Sequence, residues 1–491
     1  MHQSDRSTDR SRWLALAVLS AGTLMVILDQ TVVTVALPSI QRELGFSPAN
    51  LAWVINAYLI AFGGLLLLAG RLGDLIGRKR VFIGGLAVFT AASLLCGLAT
   101  TPGMLIGARF VQGIGGATAS AVILGMVVTL FPLPRERATA IGAYSAVQAT
   151  GGTTGLLAGG VLTDVLSWHW IFFVNLPIGI AAVVLAARLL AAERGGGVCA
   201  GADVAGAVLV TAALMLGVYT IVKVDDYGWG AAHTLGFGTV ALVLLGGFLL
   251  REGTAANPLL PLSIFRSRTV AGANLVQFLL VAGMFGFQFV SVLYLQRVLG
   301  YGAMRSGLAM APIAAAIGAI SLGVSARLNT RFGERSVLLA GLALIVAGLA
   351  LLGRAPVGGA YGVDVLPAML LIGVGFGMAM PALMALGMTG ATTSDSGVVS
   401  GLFNTTQQVG GALGLSILAV VATMRTGALL ADGAGTTTAL TGGYHLAFNI
   451  AAGIVLAAAV LAATVVRPAP AAVKPESDVF REPSASQVPC S

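Results

Sequence analysis

Two charged residues lie deep within apolar runs, where their side chains could handle a proton. Asp29 lies well inside the run at 13–37, and Arg109 lies early in a later one. A carboxyl group removed from water takes up a proton more readily, so Asp29 is the candidate for loading and releasing a proton. Arg109, with Gln112 one turn further on the same helix face, is expected to be the cationic partner of such a carboxylate. The alternatives are a structural carboxylate that never titrates and an arginine that only anchors helix packing.

The composition places these charges in a membrane protein. Hydrophobic residues make up 57% of the 491 residues and charged residues 9%, against about 25% charged residues in an ordinary soluble protein. The net charge of +8 does not indicate nucleic-acid binding, because lysine and arginine cluster in short loops between apolar runs. The three cysteines form no metal-ligand spacing or disulfide framework, and no Gly-Lys-Ser/Thr phosphate loop is present. We therefore expect no metal, no cofactor and no enzymatic activity.

The apolar runs are long enough to cross a bilayer as helices. A hydrocarbon core about 30 Å thick needs about 20 apolar residues per helix, so fourteen runs of this length predict an all-α polytopic membrane protein. Most of the 27 lysines and arginines lie on the side that both termini share, which predicts cytoplasmic termini. The predicted spans are 13–37, 51–69, 81–100, 104–131, 138–163, 170–190, 203–222, 234–250, 269–294, 304–326, 336–353, 362–388, 397–424 and 444–466.

A charged turn between the second and third runs has a degenerate second copy. Residues 70–80 read GRLGDLIGRKR and residues 327–335 read RLNTRFGER, and three of their residues align at an offset of 256. Residues 142–155 and 401–414 form another matching pair at an offset of 259. A membrane chain that repeats itself at a nearly constant offset is a duplicated protein.

The repeat predicts how the chain is divided. Both correspondences shift the helix number by eight, so two six-helix halves are separated by two extra central helices. The predicted parts are a cytoplasmic N-terminal tail at 1–12, an N-terminal six-helix half at 13–190, a linker at 191–202, two inserted helices at 203–250, a C-terminal six-helix half at 269–466 and a disordered cytoplasmic tail at 467–491.

The charged turn is predicted to join two helix ends tightly at the membrane surface. Its charges cannot lie in hydrocarbon, and its glycines allow close backbone approach and left-handed backbone angles. Asp74 lies among basic residues, where it either forms ion pairs that break and re-form or simply stabilises the loop. The residues concerned are Gly70, Arg71, Gly73, Asp74, Gly77, Arg78, Lys79 and Arg80.

Uncharged polar residues form stripes on three predicted helices. Residues of each stripe recur at close to whole helical turns, which places them on one face. An aqueous central cavity that holds a small molecule explains three such stripes. Hydrogen bonding between helices, worth about 0.6 kcal/mol per bond, is the alternative. The candidate cavity residues are Asn56, Gln112, Tyr144, Gln148, Asn274, Gln277, Gln288, Asn404, Gln407 and Gln408.

Together these motifs resemble the major facilitator superfamily, and within it the fourteen-helix drug:proton antiporters. GRLGDLIGRKR is similar to the cytoplasmic signature of the superfamily. LDQTVVTVALPSI at 28–40 is similar to the helix 1 motif, with Asp29 at its acidic position. RFVQGIGGA at 109–117 is similar to the helix 4 motif, with Arg109 as its arginine. WHWIFFVNLPIG at 168–179 is also typical of the group.

The fifth predicted helix matches the antiporter motif of this family only in part. Gly151, Gly155, Gly159 and Gly160 match its glycines, whereas Leu156 stands where a proline is expected. The glycines allow close packing against a neighbouring helix, while the missing proline removes a kink.

The resemblance implies a major facilitator fold whose two halves rock about a central site. It implies that Asp29 and Arg109 serve proton transfer and that the charged turn latches the cytoplasmic side. The implied function is proton-coupled export of amphipathic drugs or antibiotics, and proton-coupled transport of one narrow metabolite, outward or inward, is the alternative. The expected partners are a drug-like small molecule, protons and the lipid bilayer, without nucleic acid. The chain is expected to act as a monomer in a bacterial inner or plasma membrane.

Overall fold

The computed structural model consists of long helices that run alongside one another. It describes residues 2–48, 50–190, 203–255, 258–259, 267–388 and 396–465, so the predicted linker at 191–202 and tail at 467–491 lie outside the described residues. The helices are α1 (His2–Leu44), α2 (Trp53–Ile76), α3 (Arg78–Gly97), α4 (Pro102–Leu130), α5 (Pro134–Val165), α6 (Trp170–Phe173), α7 (Asn175–Leu189), α8 (Val204–Tyr227), α9 (Ala232–Thr254), α10 (Arg268–Arg297), α11 (Ala303–Ala319), α12 (Ser325–Phe332), α13 (Glu334–Leu352), α14 (Leu366–Met388), α15 (Ser396–Ala431) and α16 (Thr436–Thr464).

Twelve helices of the described chain are long and apolar enough to cross a membrane, so the predicted count of fourteen is not confirmed. The two predicted spans that fall short are those at 138–163 and 304–326. The first lies within the 32-residue helix α5, whose side chains are described without a break only from Thr154 to Val165. In the second, Ala303–Ala319 is followed by the π-helical segment Ile320–Val324, which ends the regular helix before it reaches spanning length.

Several helices are longer than the apolar runs that predicted them. The helix α1 begins at His2 and ends at Leu44, so it takes in much of the predicted tail at 1–12 and passes the predicted end at residue 37. Backbone hydrogen bonding continues into polar flanks that a hydropathy pattern leaves out, and this explains the difference.

The packing of the helices repeats along the chain. In the first part of the molecule, the helices α1 to α7, α1 packs on α5 and α7, and α3 packs on α4 and α7. In the second part, the helices α10 to α16, α10 packs on α15 and α16, and α13 packs on α14 and α16. The helix pairs therefore match in order, and α8 and α9 have no counterparts in this scheme.

Glycines at matching positions form a close helix crossing in each part. A Cβ on Gly85 of α3 would lie 2.9 Å from the backbone oxygen of Gly115 of α4. A Cβ on Gly341 of α13 would lie 2.6 Å from the backbone oxygen of Gly375 of α14. Only glycine allows backbones to approach so closely. The two glycines of α4 and α14 are 260 residues apart, near the offset of the sequence repeat.

The two charged turns are closed by glycines with left-handed backbone angles. Gly77 has φ of 99° between α2 and α3, and Gly333 has φ of 78° between α12 and α13. These residues are 256 residues apart, the offset found in the sequence. Side-chain-bearing residues rarely adopt such angles, so glycine is required at both turns.

The helix α8 lies against both parts of the molecule, because it packs on α2 and on α15, while α9 packs on α8. A Cβ on Gly64 of α2 would lie 3.3 Å from Cα of Thr211 of α8, so these two backbones nearly touch. Leu242 and Leu250 of α9 are 70% and 73% exposed. Apolar side chains this exposed suit contact with lipid.

Replacing Gly115 by leucine should destabilise the protein, because the new side chain would have to displace the backbone of α3. Overpacking of this kind costs about 1–3 kcal/mol, and we expect a lower melting temperature for the purified protein in detergent. Gly107 of the same helix provides the control, since a Cβ there meets no atom within 4 Å. Equal losses in Gly115→Leu and Gly107→Leu would contradict the importance of the crossing.

Candidate functional site

A buried ion pair lies inside the bundle formed by the first helices. Nη1 of Arg109 on α4 donates to Oδ2 of Asp29 on α1, and neither residue is more than 1% exposed. The sequence predicted a carboxylate partner for Arg109 without naming it, and in the structure that partner is Asp29. Two charges removed from water attract each other strongly, but each also loses its hydration, which only further hydrogen bonds can replace.

Two amide side chains complete the surroundings of the carboxylate. Nε2 of Gln112 donates to Oδ1 of Asp29 at 2.8 Å, and Nδ2 of Asn175 donates to the same oxygen at 3.1 Å. Asp29 thus accepts hydrogen bonds from three nitrogen donors carried by α4 and α7. Donors of this kind stabilise an ionised carboxylate.

The guanidinium group of Arg109 makes further contacts besides its ion pair with Asp29. Nε donates to the backbone oxygen of Val54 at 2.9 Å, and Nη1 also donates to Oε1 of Gln112 at 2.7 Å. The group lies 4.5 Å from the ring centroid of Tyr58 and 5.8 Å from that of Phe172. Aromatic faces attract cations, most strongly in dry surroundings.

The helix α3 closes the cluster through one hydroxyl. Oγ of Ser93 accepts from Gln112 at 2.8 Å and from Asn175 at 3.5 Å. Five helices therefore meet at this polar cluster, which we call the Asp29 cluster: Asp29, Tyr58, Ser93, Arg109, Gln112 and Asn175. Gln112 was predicted to line a central cavity, but its side chain is fully buried here because it bridges Asp29 and Arg109.

The sequence prediction did not include three members of the Asp29 cluster. Asn175 lies inside an apolar run and is 1% exposed, so an isolated amide in a spanning helix was the signal that could have found it. Ser93 and Tyr58 are common in apolar helices, and their spacing carries no signal.

Glycine contacts align the two parts of the molecule residue by residue. A Cβ on Gly151 of α5 would meet Ile27 of α1, and a Cβ on Gly410 of α15 would meet Phe278 of α10. The two glycines are equivalent in the sequence repeat. Positions on α1 therefore correspond to positions 251 residues later on α10.

The second part carries an apolar pair where the first carries the ion pair. The counterpart of Asp29, 251 residues later on α10, is Leu280. The counterpart of Arg109, 260 residues later on α14, is Met369, because the crossing glycines of α4 and α14 are 260 residues apart. Both are fully buried. This scaffold therefore accommodates apolar side chains at the two positions, and the charges are not a requirement of the packing.

Basic residues of the charged turn bind the ends of other helices. Nζ of Lys79 donates to the backbone oxygens of Ala187 and Leu190 at 2.8 and 2.6 Å, at the C-terminal end of α7. Nη1 of Arg78 donates to the backbone oxygen of Gly125, near the end of α4, at 3.3 Å. A cation stabilises a helix C-terminus because the unpaired carbonyl groups there carry partial negative charge.

The second copy of the turn repeats one of these contacts. Arg335, the counterpart of Lys79, donates to the backbone oxygen of Ala463 at the end of α16.

The remaining residues of the first turn differ in their surroundings. The side chain of Asp74 lies outside the described part of the structure, so its predicted ion pairs stay a prediction. Gly70 and Arg71 are half-buried, Gly73 and Gly77 are buried and Arg80 is exposed.

The glycines of α5 pack on two different helices. A Cβ on Gly159 would lie 2.8 Å from the backbone oxygen of Val32 in α1, and one on Gly160 would lie 2.8 Å from Cα of Met304 in α11. Leu156, at the position where proline was expected, is buried. The glycines that face α1 are Gly151, Gly155 and Gly159.

Two of the predicted cavity residues on α10 bind α15. Asn274 accepts a hydrogen bond from Oγ1 of Thr406 at 3.2 Å, and Nε2 of Gln277 donates to the backbone oxygen of Phe403 at 2.9 Å. Both amides are buried. Their contacts are the interhelical hydrogen bonds that the sequence left as the alternative to a cavity.

The other predicted cavity residues have varied exposure. Nδ2 of Asn56 on α2 donates to Oγ of Ser416 on α15 at 2.7 Å, and this buried bond joins the two parts of the molecule. The side chain of Gln148 lies outside the described residues. Of the rest, Gln408 is buried, Tyr144, Gln288 and Gln407 are half-buried and Asn404 is exposed.

Further contacts between the two parts lie at the end of the bundle where α1 and α10 finish. Nε2 of Gln296 donates to the backbone oxygen of Val35 at 2.9 Å. The carboxylate of Asp164, near the end of α5, accepts from the backbone nitrogens of Ala303 and Met304 at 3.1 and 2.6 Å. A side chain of the first part thus caps the N-terminus of α11.

Comparisons with known proteins give the family. The sequence profile of the Major Facilitator Superfamily matches residues 19–415. The puromycin resistance protein pur8 of Streptomyces alboniger is 40% identical over 461 residues, covering 92% of this chain and 91% of that protein. The cephamycin export protein CmcT of Amycolatopsis lactamdurans is 38% identical over 481 residues, covering 96% of each chain.

A solved structure shares the fold. The crystal structure of a bacterial homologue of the human lysosomal transporter Spinster, in an inward-facing and unoccupied conformation, matches with a TM-score of 0.66. The two chains are 16% identical, and the match covers 92% of this chain and 96% of the other. At this identity the likeness concerns the fold alone.

The ion pair predicts a pattern of stabilities. Arg109→Met should be destabilising by about 3–5 kcal/mol, because it leaves Asp29 buried without a countercharge. The double variant Asp29→Leu with Arg109→Met, which copies the apolar pair Leu280 and Met369, should recover most of that loss. Melting temperatures of the purified variants measure this, and losses that simply add would contradict it.

Proposed function

We propose that this chain, which belongs to the Major Facilitator Superfamily, is a proton-coupled exporter. Its substrates would be small amphipathic drugs or antibiotics, and it would work by alternating access. The substrate class is supported by the two relatives named for puromycin resistance and cephamycin export, which this chain matches over nearly their whole length. Of all the observations, this similarity carries the proposal. Secondary transporters of this family use an ion gradient rather than a chemical reaction, so no catalytic site is involved.

The Asp29 cluster is the proposed proton site. Asp29 and Arg109 occupy positions where the matching half of the scaffold holds Leu280 and Met369. A buried ion pair is often no more stable than a well-packed apolar pair, so its presence here supports a role in coupling. Protonation of Asp29 would cancel its attraction to Arg109 and loosen the hydrogen bonds that join α1, α4 and α7.

The membrane potential is sufficient to drive export of this kind. One proton entering down about 100 mV releases about 2.3 kcal/mol. That free energy corresponds to roughly fifty-fold accumulation of a neutral substrate outside the cell. A pH gradient would add to it.

We further propose the topology of the fourteen-helix drug:proton antiporters. The helix α5 and the consecutive segments α11 to α12 complete the count, because α5 packs along α1 and α11 packs on α14. Two six-helix halves then flank the inserted α8 and α9, and the charge bias of the loops favours cytoplasmic termini in a bacterial plasma membrane. On this orientation the contacts of Gln296 and Asp164 close the outer end of the transporter.

The charged turn has two proposed tasks. Lys79 and Arg78 anchor it to the ends of α7 and α4 within the first half. We propose that Asp74 forms ion pairs across the cytoplasmic face, and that these ion pairs break and re-form as the conformation changes. Asn404, Gln407 and Gln408 on α15, with Tyr144 on α5, are proposed to line the substrate path.

A transporter for one narrow metabolite is the second candidate. Amide groups such as those of Asn274 and Gln277 are already bonded to α15, which limits the polar surface open to diverse substrates. Recognition of a single compound by few polar groups would fit this arrangement.

Cells that express the chain should extrude ethidium, and a protonophore should abolish the efflux. Asp29→Asn should also abolish it, because an amide cannot load a proton. Asp432→Asn serves as the control, since Asp432 is an exposed carboxylate at the end of α15, and it should keep wild-type efflux. Ethidium efflux that persists in Asp29→Asn would contradict coupling through Asp29, and absent efflux from well-expressed protein would favour the narrow transporter.

Asp164 should stabilise the conformation in which the outer end is closed. A capping side chain is worth about 1 kcal/mol relative to alanine, so Asp164→Ala should shift the balance towards the outward-open conformation about five-fold. Spin labels on Ser47→Cys and Val357→Cys, with the native cysteines replaced by serine, report the opening as a longer distance. Asp432→Ala in the same labelled chain should leave the distances unchanged, and unchanged distances in Asp164→Ala would refute the role.

A further inference from the structure

Asn175 connects Asp29 to α7, whereas the other two donors to Asp29 within the described residues lie on α4. Its Nδ2 lies 3.1 Å from Oδ1 of Asp29 and 3.5 Å from Oγ of Ser93, and the residue is 1% exposed. Arg109 and Gln112 lie one turn apart on that helix, so Asn175 is the donor that comes from a different helix. Asn175 is the first residue of α7, where the chain resumes a regular helix after the break that follows α6.

We propose that Asn175 is a positioning residue that holds Asp29 in its ionised form by donating a hydrogen bond from α7. This deepens the proposed proton coupling and rests on that function. The amide has no charge and cannot itself carry the proton. It acts by fixing the carboxylate oxygen and by stabilising its negative charge.

The groups that face Asp29 show why an amide at this place matters. From α4 the facing group is the cation Arg109, from α2 it is the phenol of Tyr58, and from α3 it is the thiol of Cys96 together with Ser93. From α7 the facing group is the amide of Asn175. The phenol and the thiol have no charge near neutral pH. The donors therefore set the balance between ionised and protonated Asp29.

A hydrogen bond to a charged group is strong enough to move a titration measurably. Removing one of three donors to the carboxylate should shift the midpoint of its titration to higher pH by about one unit. A second carboxylate at the same place should shift it further, since two acids within hydrogen-bonding distance cannot both ionise.

The test is an infrared titration of the purified full-length protein, in which Asp29→Asn identifies the carboxyl band of Asp29. In Asn175→Leu the band should titrate about one pH unit higher than in the wild type. Asn175→Asp has almost the same shape as asparagine and so protects the test against misfolding, and its shift should be larger. Asn274→Leu is the matched control, because it removes a buried amide that contacts α15 and leaves the Asp29 titration alone.

A merely structural role for Asn175 would give a different result. Asn175→Leu would then lower the melting temperature while the carboxyl band kept its wild-type midpoint, and that outcome would overturn the proposal. An unshifted band in Asn175→Asp would overturn it equally.

Ethidium transport into proteoliposomes at several pH values separates this inference from the proposed function. A shifted carboxyl titration in a chain that moves no ethidium would support positioning by Asn175 and count against the exporter. Normal proton-driven transport with an unshifted titration would overturn the role of Asn175 and leave the exporter intact.

Discussion

A charge inside a membrane protein must be paired and hydrogen-bonded, and the first half of this molecule is built around that constraint. Asp29 and Arg109 are both buried, and the groups that replace their lost hydration come from α2, α3, α4 and α7. No single helix could supply these groups. Five helices therefore meet at one ion pair, and a change in its charge would act on groups from all of them.

The duplication separates what the scaffold needs from what the chemistry needs. Glycine crossings at Gly85 and Gly115 recur at Gly341 and Gly375, and the glycine turns recur as well. The ion pair does not recur, because its counterpart positions hold apolar residues. Shared features thus serve helix packing, whereas the unshared ion pair is the site at which we propose proton coupling.

Helix ends connect the Asp29 cluster to the charged turn and to the other half of the molecule. The helix α7 begins at Asn175 beside Asp29, and its other end binds Lys79 of the charged turn. The helix α5 packs on α1 through Gly159 and on the other half through Gly160. The inserted α8 lies over the contact between α2 and α15, so it touches both halves where they meet. Rigid helices anchored at both ends can carry a local change over such distances.

The sequence by itself pointed to the membrane class, to most of the helical runs, to an internal duplication and to the two buried charges Asp29 and Arg109. Each of these leaves a local mark, as an apolar run, a repeated motif or a rare intramembrane charge. The tertiary structure alone decided that Gln112 belongs to the Asp29 cluster and that Asn175 and Ser93 complete it. It also decided that Asn274 and Gln277 bond to α15, and that a π-helical segment follows α11. An amide or hydroxyl looks the same in a sequence whether it faces a cavity or a neighbouring helix, because its partner is set by packing between residues that are distant along the chain.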